Sequence, residues 1–387
     1  MKIHHTLKLS SSLELGNTIA ELRAKGEKII SLGLGEPEFN TPDNIKEAAI
    51  TAIRDGHTRY AAANGLPELR ELVAQKLKND NRIDALASEI MIVPGAKNAL
   101  FLALAAILEP GDEIINFTPC YVSNIPLIYL AEPQCTAINI DMKKEDFSID
   151  INEFKAKVTD KTKAVLLNFP NNPTGVIMKQ ADVKEITEFC ISKNIIIISD
   201  EIYEPVYFSD EPFVSPAQFD TEGQNVITIN GFSKSYSMTG WRIGYLHTKN
   251  KELLQVILRI HQQINTNTPV FTQYAAIEGL KNNSETLINF KKDLKFRAQY
   301  VYDKINSAKN VSIVRSTGGI FGFMNISKTG MNSDKFCVEF LKAQKVAILA
   351  GNAFGDNFDD HCRISLVNTN ELIIEGVDRL LEFVNQL

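Results

Sequence analysis

The segment GFSKSYSMTGWRIGY, residues 231–245, sets Lys234 and Arg242 eight positions apart in a loop rich in glycine and serine. An amine can act as a nucleophile or carry a proton, and a guanidinium can grip an anion with two parallel N–H donors. Other reactive side chains stand directly after short apolar runs. The run IIIIS is followed by Asp200, Glu201, Ile202 and Tyr203, which places a carboxylate and a phenol after a buried strand. AVLLN (164–168) leads into PNNPTG, a turn stiffened by Pro170, Pro173 and Gly175. VITIN (226–230) leads to Gly231 and Lys234, and MIVP (91–94) leads to Gly95, Ala96 and Lys97 at the start of an apolar helix pattern. The free N–H groups and dipole of such a helix start favour a phosphate. Each signal alone has an ordinary reading: an Asp after a strand caps a turn, and a lysine in a serine loop is solvated. Together they stand at the ends of four strands, and open α/β sheets bind ligands outside the carboxyl ends of their strands.

The elements that would position these residues are legible from periodicity. Strand-length apolar runs (90–94, 113–117, 136–140, 164–168, 194–201, 226–230 and 242–248) alternate with amphipathic stretches such as KNALFLALAAIL (97–108) and QADVKEITEFCISK (180–193). Several runs are apolar at consecutive positions, so both faces of those strands are buried. The pattern predicts an α/β fold, with a mostly parallel seven-stranded sheet sandwiched by helices. After residue 284 the texture changes to a long charged helix pattern (284–309), two strand candidates (318–326 and 361–367) and a C-terminal amphipathic helix. TPDNIKEAAITAI (41–53) predicts a capped helix. The expected division is a large domain over 46–283 and a smaller, discontinuous α/β domain built from 1–45 and 284–387.

Bulk properties narrow the function classes. A chain of 387 residues with 44% hydrophobic residues suits two well-cored domains. The net charge of −6, with Lys and Arg scattered, argues against a nucleic-acid partner. Five widely spaced cysteines without a CxxC argue for a reducing compartment and against a zinc knuckle. The N-terminal stretch has no apolar run of signal-peptide length, and no segment is apolar for membrane-spanning length. A cytoplasmic protein without membrane contact is expected. His4 and His5 read as a solvated tail, and no metal site is expected.

With these residues in view, the chain resembles the pyridoxal-phosphate (PLP) enzymes of fold type I, and among them the class I, aspartate aminotransferase-like aminotransferases. The resemblance runs through LGEPEFNTP (34–42), RYAAANGLPELR (59–70), PGAKNAL (94–100), NFPNNPTG (168–175), SDEIYE (199–204), the Lys234 loop and HCRISL (361–366). It implies that Lys234 forms the Schiff base with the cofactor aldehyde and then moves the proton between substrate Cα and cofactor C4′. It implies that Asp200 pairs with the pyridine nitrogen, and that Tyr203 and Asn172 bond the ring oxygen. Arg242, with the N–H groups around Gly95, Ala96 and Lys97, would hold the phosphate. Tyr121 would stack on the ring, and Tyr60 would reach the phosphate of a neighbouring subunit, so a homodimer is implied. Arg363, with Asn172 alongside, would clamp the substrate α-carboxylate, and Gly35 would let the backbone approach the substrate.

The implied reaction is a ping-pong exchange between an L-amino acid and a 2-oxo acid. Lys97 matches a position that binds the distal carboxylate in similar aspartate enzymes, and Ser10 and Ser12 fall near matching polar positions. This favours aspartate and glutamate with their oxo acids; aromatic, alanine, methionine and prephenate-type donors are the alternatives. A carbon–sulfur lyase on the same scaffold tends to carry histidine where Tyr203 stands. A regulator with an aminotransferase-like sensor domain needs an attached DNA-binding module. A nicotinamide dehydrogenase needs a third glycine that GLGEPE (33–38) lacks. Two departures from the family pattern stand out. Gly231 replaces a serine that bonds the phosphate in many relatives, so Ser233 or Ser235 would have to supply that bond. Cys120-Tyr121 replaces a Tyr-Trp pair.

Overall fold

Strands of consecutive apolar residues need cover on both sides, and the computed structural model, which describes residues 11–282 and 284–387, provides it. The described residues form thirteen strands: β1 (Ile30–Ser31), β2 (Ile90–Val93), β3 (Glu113–Thr118), β4 (Thr136–Asp141), β5 (Thr162–Asn168), β6 (Ile196–Asp200), β7 (Val226–Gly231), β8 (Gly244–His247), β9 (Ser312–Ile313), β10 (Phe321–Asn325), β11 (Val346–Ala347), β12 (Leu349–Ala350) and β13 (His361–Ser365). Seven of them make the main sheet in the order β2-β8-β7-β6-β5-β3-β4. β3 to β7 pair in parallel with their neighbours, and β8 runs against both β2 and β7. The expected α/β class, with a mostly parallel seven-stranded sheet between helices, is what the chain adopts.

Side chains of a strand alternate between faces. Ile114, Leu166 and Ile198 therefore join the helices Ala96–Ile107 and Lys251–Ile264 on one side. Ile115, Val165, Leu167 and Ile197 join Ile186 and Cys190 of the helix Gln180–Ser192 on the other. Each fully buried isoleucine or leucine contributes about 1.5–3 kcal/mol, so these runs hold the sheet in register.

A second unit forms around β12-β13-β10-β9, covered by the helices Ser284–Ile305, Ser333–Gln344 and Asn370–Val384. The N-terminal segment joins it, because β1 pairs in parallel with β11. The helix Asp43–Arg54 instead packs against Val270–Asn282. Its expected side-chain cap is absent. Pro42 occupies the capping position without a side-chain bond, and the Thr41 hydroxyl donates to Ser237 O at 2.7 Å. A tertiary contact with the Lys234 loop has taken the side chain that would have capped the helix locally.

No helix among the described residues is long and apolar enough to cross a membrane. The five cysteines are free thiols, and no group of three or more potential metal ligands occurs among the described residues. His4, His5 and Ser10 lie outside the described residues.

Candidate active site

The direction of β8 explains the spacing of Lys234 and Arg242. β7 ends at Gly231 where β8 begins at Gly244, and the two glycines face each other in the antiparallel register. The loop between them therefore starts and finishes at the same edge of the sheet, beside the carboxyl ends of β5 and β6. A cavity of about 400 Å³ opens there. Its lining includes Lys234, Asp200, Tyr203, Asn172, Arg242 and Tyr121. Ala96, Lys97 and Ser233 of the sequence-predicted residues also line it, and Asn168, Ile202 and Thr239 are additional wall residues. Gly35, Gly95 and Arg363 do not line it but stand against the lining residues Lys234, Arg242 and Asn172.

One end of this cavity is built for an anion. The helix Ala96–Ile107 starts from Gly95, whose φ of +88° is open to glycine and strained for other residues. A Cβ at Gly95 would collide with Nη2 of Arg242, and one at Gly244 would sit 2.9 Å from the Ala96 nitrogen. Two glycines thus let the helix start, the β8 start and the Arg242 guanidinium converge. The Gly95 N–H donates to Val93 O at 2.7 Å, so it is turned inward. The N–H groups of Ala96 and Lys97, at the first turn, have no acceptor within the helix. Arg242 is itself oriented by donating from Nη1 to Thr239 O at 2.8 Å.

The amine lies at the middle. Lys234 Nζ donates to Gly35 O at 2.7 Å. Gly35 packs so closely that a Cβ there would lie 2.6 Å from the Phe321 ring, which is why the N-terminal segment can reach the lysine. Burial, followed by the nearby Arg363 charge, pulls the Lys234 ammonium down to about 8. Burial raises the Asp200 carboxyl to about 6; its Oδ1 accepts the Ile202 N–H at 3.2 Å. Burial also pushes the Tyr203 phenol well above its ordinary value, with the Arg363 charge opposing. At neutral pH the cavity therefore holds a carboxylate, a readily deprotonated amine and a neutral phenol.

Arg363, on β13, is 2% exposed. It donates to Asn172 Oδ1 at 3.0 Å and to Gly33 O at 2.6 Å, and its guanidinium lies 3.9 Å from the centroid of the Phe321 ring. Both hydrogen-bond acceptors are neutral, its Nε is buried without a partner, and no carboxylate among the described residues pairs with it. Burial draws its pKa down to about 10. A buried cation in this state calls for an anion from outside the chain.

Lys97 Nζ stands 5.6 Å from the centroid of the Tyr121 ring, within the same cavity. Tyr60 is apart from this group: it is 87% exposed and does not line the cavity of its own chain. Ser12 lies in the helix Ser11–Ala24 and is not part of the lining. Ser233 faces the cavity, whereas Ser235 lines a different one. Asn168 was missed by residue-by-residue reading. Its Nδ2 donates to Asp200 O at 3.1 Å, and its Oδ1 accepts the Asn172 N–H at 3.2 Å, so it ties two cavity residues together. The available signal was its position as the last residue of β5, where the strand-end rule applies.

Similarity to known proteins extends along almost the whole chain. The family model described as aminotransferase class I and II matches residues 27–380. The chain belongs to that family. This aminotransferase is 39% identical to a probable aspartate/prephenate aminotransferase of Aquifex aeolicus, over 98% of its own length and 97% of the relative's. Its fold superposes on an aspartate aminotransferase of Thermus thermophilus solved with maleate, with a TM-score of 0.93, 28% identity and coverage of 99% and 98% of the two chains. An aromatic aminotransferase of Pyrococcus horikoshii matches with a TM-score of 0.89 and 35% identity, over 95% of this chain and 99% of that one.

Proposed function

We propose that the aminotransferase uses PLP and exchanges the amino group of aspartate or glutamate with a 2-oxo acid. The observation that carries this reading is a pair of cations at the site: Arg363, buried with an unpartnered Nε and bonded to the cavity residue Asn172, and Lys97, which lines the cavity beside Tyr121. Two separate cations at one site suit a substrate with two carboxylates. The fit to the cofactor rests on the converging Arg242, Ala96 and Lys97 donors for a phosphate, the Asp200 carboxylate for a protonated ring nitrogen, and the Tyr203 phenol for a ring oxygen.

When bound, the cofactor supplies an aldehyde to carry the amino group and a ring to draw electrons from the substrate Cα. The chain's own residues do the rest. Arg363 takes the α-carboxylate through the fork that now meets Asn172 and Gly33. Lys234 Nζ accepts the proton from the substrate Cα, a task eased by its lowered pKa. Asp200, ionised above about pH 6, keeps a facing nitrogen protonated. Arg242 and the helix start fix the anionic end so that these groups stay aligned. Lys97 reads the distal carboxylate.

The same reading includes a dimer. Tyr60 is too exposed to serve its own cavity and would reach the phosphate site of a second copy. It also includes the division into 46–283 and 1–45 with 284–387, supported by the β1–β11 pairing.

The deciding experiment mixes the PLP-loaded enzyme separately with aspartate, glutamate, alanine, tyrosine and methionine and follows the cofactor absorbance. Aspartate and glutamate should react fastest, and Lys97→Ala should remove that preference selectively, by at least about tenfold for the loss of one charge-assisted contact. If an aromatic or neutral donor wins and Lys97→Ala slows all five equally, Lys97 serves the cofactor alone and the dicarboxylate reading fails.

A further inference from the structure

The Lys234 loop has a second side. Ser233 and Lys234 face the cavity described above, whereas Gly231, Phe232, Ser235 and Tyr236 line another cavity of about 600 Å³ behind it. The next strand end divides in the same way, with Tyr203 on one side and Glu204 on the other. This second cavity lies between the helix Pro67–Asn81, which contributes Leu72 and Lys76, and the helix Ser284–Ile305, which contributes Leu287 and Lys291.

Its deep end is polar and well organised. Lys76 Nζ is paired with Glu204 and donates to Asn81 Oδ1 at 2.6 Å, and Asn230 Nδ2 donates to Glu204 at 3.2 Å. The phenols of Tyr236 and Tyr245 are buried, line the cavity and have no hydrogen-bond partner among the described residues. Burial pushes both well up, so they remain neutral donors at physiological pH. Buried phenols normally find a partner, and here the cavity is what they face. Asp80 and Lys291 stand toward the outside, and Leu72, Leu280 and Leu287 supply apolar wall.

We propose that this cavity is a second binding site, for a small free α-amino acid with an apolar side chain, whose occupancy acts on the Lys234 loop from behind. Its lining carries two ammonium groups, Lys76 and Lys291, and two carboxylates, Glu204 and Asp80, a balance that matches a zwitterion and leaves one charge unmatched for a plain anion or cation. Lys76 and the two phenols offer donors to a carboxylate, Asp80 offers an acceptor to the ammonium, and the leucines cover the side chain. The occupant touches residues on both sides of Lys234 in sequence, which is the route by which an accumulating amino acid would adjust the transamination rate. This site is separate from the catalytic cavity and does not depend on the preferred substrate.

The test is isothermal titration of L-leucine into the PLP-loaded enzyme saturated with succinate, a dicarboxylate that has no amino group to transfer. One leucine should bind per chain in the presence of succinate. Leu280→Trp, which fills the cavity, and the double variant Tyr236→Phe with Tyr245→Phe, which keeps the packing, should each weaken leucine at least tenfold and leave succinate binding unchanged. No leucine binding, binding abolished by succinate, or binding indifferent to whichever variant folds overturns the proposal. Failure of succinate to bind would count against the dicarboxylate reading alone, because the two cavity variants still decide where leucine sits.

Discussion

Asp200 and Arg363 illustrate how the site holds residues against their folding preference. Burial raises the Asp200 carboxyl from its ordinary 3.8 to about 6, so the ionised form opposes folding of the cofactor-free chain. That penalty is fully present at pH values above the folded-state value, shrinks as pH falls from about 6 to about 4, and is gone below the unfolded-state value. Asp200→Asn should therefore stabilise the cofactor-free protein at pH 7.5, by at most about 3 kcal/mol for a shift of about two pH units. The gain should fade toward pH 4, while transamination drops by orders of magnitude. Thermal melts across pH beside rate measurements check both halves. A variant that is less stable at pH 7.5 would show that the carboxylate is structurally required. Arg363 is the same case with opposite charge, held by two neutral oxygens and a phenyl face until an anion arrives.

At the scale of elements, the site depends on backbones that approach one another without side chains between them. Gly95 opens the helix Ala96–Ile107 at a positive φ and lies against Arg242, and Gly244 lets β8 start against the same turn. Gly95→Ala would impose about 1–3 kcal/mol of strain at this positive φ and displace the guanidinium as well. Cofactor titration should show affinity lowered at least about tenfold, with the melting of the cofactor-free protein changed far less than that of the loaded enzyme. Equal affinity for wild type and variant would mean that the helix start and Arg242 do not share one anion. The PNNPTG turn works similarly: Asn171 Oδ1 accepts the Thr174 hydroxyl at 2.8 Å, and Gly175, at φ +72°, faces the Phe321 carbonyl oxygen. This turn therefore touches β10 of the smaller unit as well as carrying Asn172 into the cavity.

At the scale of the whole molecule, the outlying residue is Tyr60. If it serves the neighbouring copy, sedimentation should give a dimer, and Tyr60→Phe should weaken cofactor binding severalfold. Mixed dimers of Tyr60→Phe and Lys234→Ala chains should regain one site of wild-type affinity, because the Lys234 of one chain then meets the Tyr60 of the other. Recovery of only weakened sites would place Tyr60 in its own chain's service. Much of the molecule was legible beforehand. Strand and helix identity follow from local periodicity, so β2 to β8 and the helices that cover them could be read from apolar spacing. Lys234, Asp200 and Tyr203 could be read because each stands just beyond such a run. What the sequence could not express was distance across the fold. The bond from Lys234 to Gly35, the loss of Thr41 as a cap to Ser237, and the bridge of Asn168 between Asp200 and Asn172 join segments whose approach depends on packing. The same holds for the second cavity, whose walls come from helices over two hundred positions apart. Local residue types determined the elements and the chemistry available at their ends. Only the tertiary structure decided which of those ends meet, because burial and charge at a site are properties of neighbours in space.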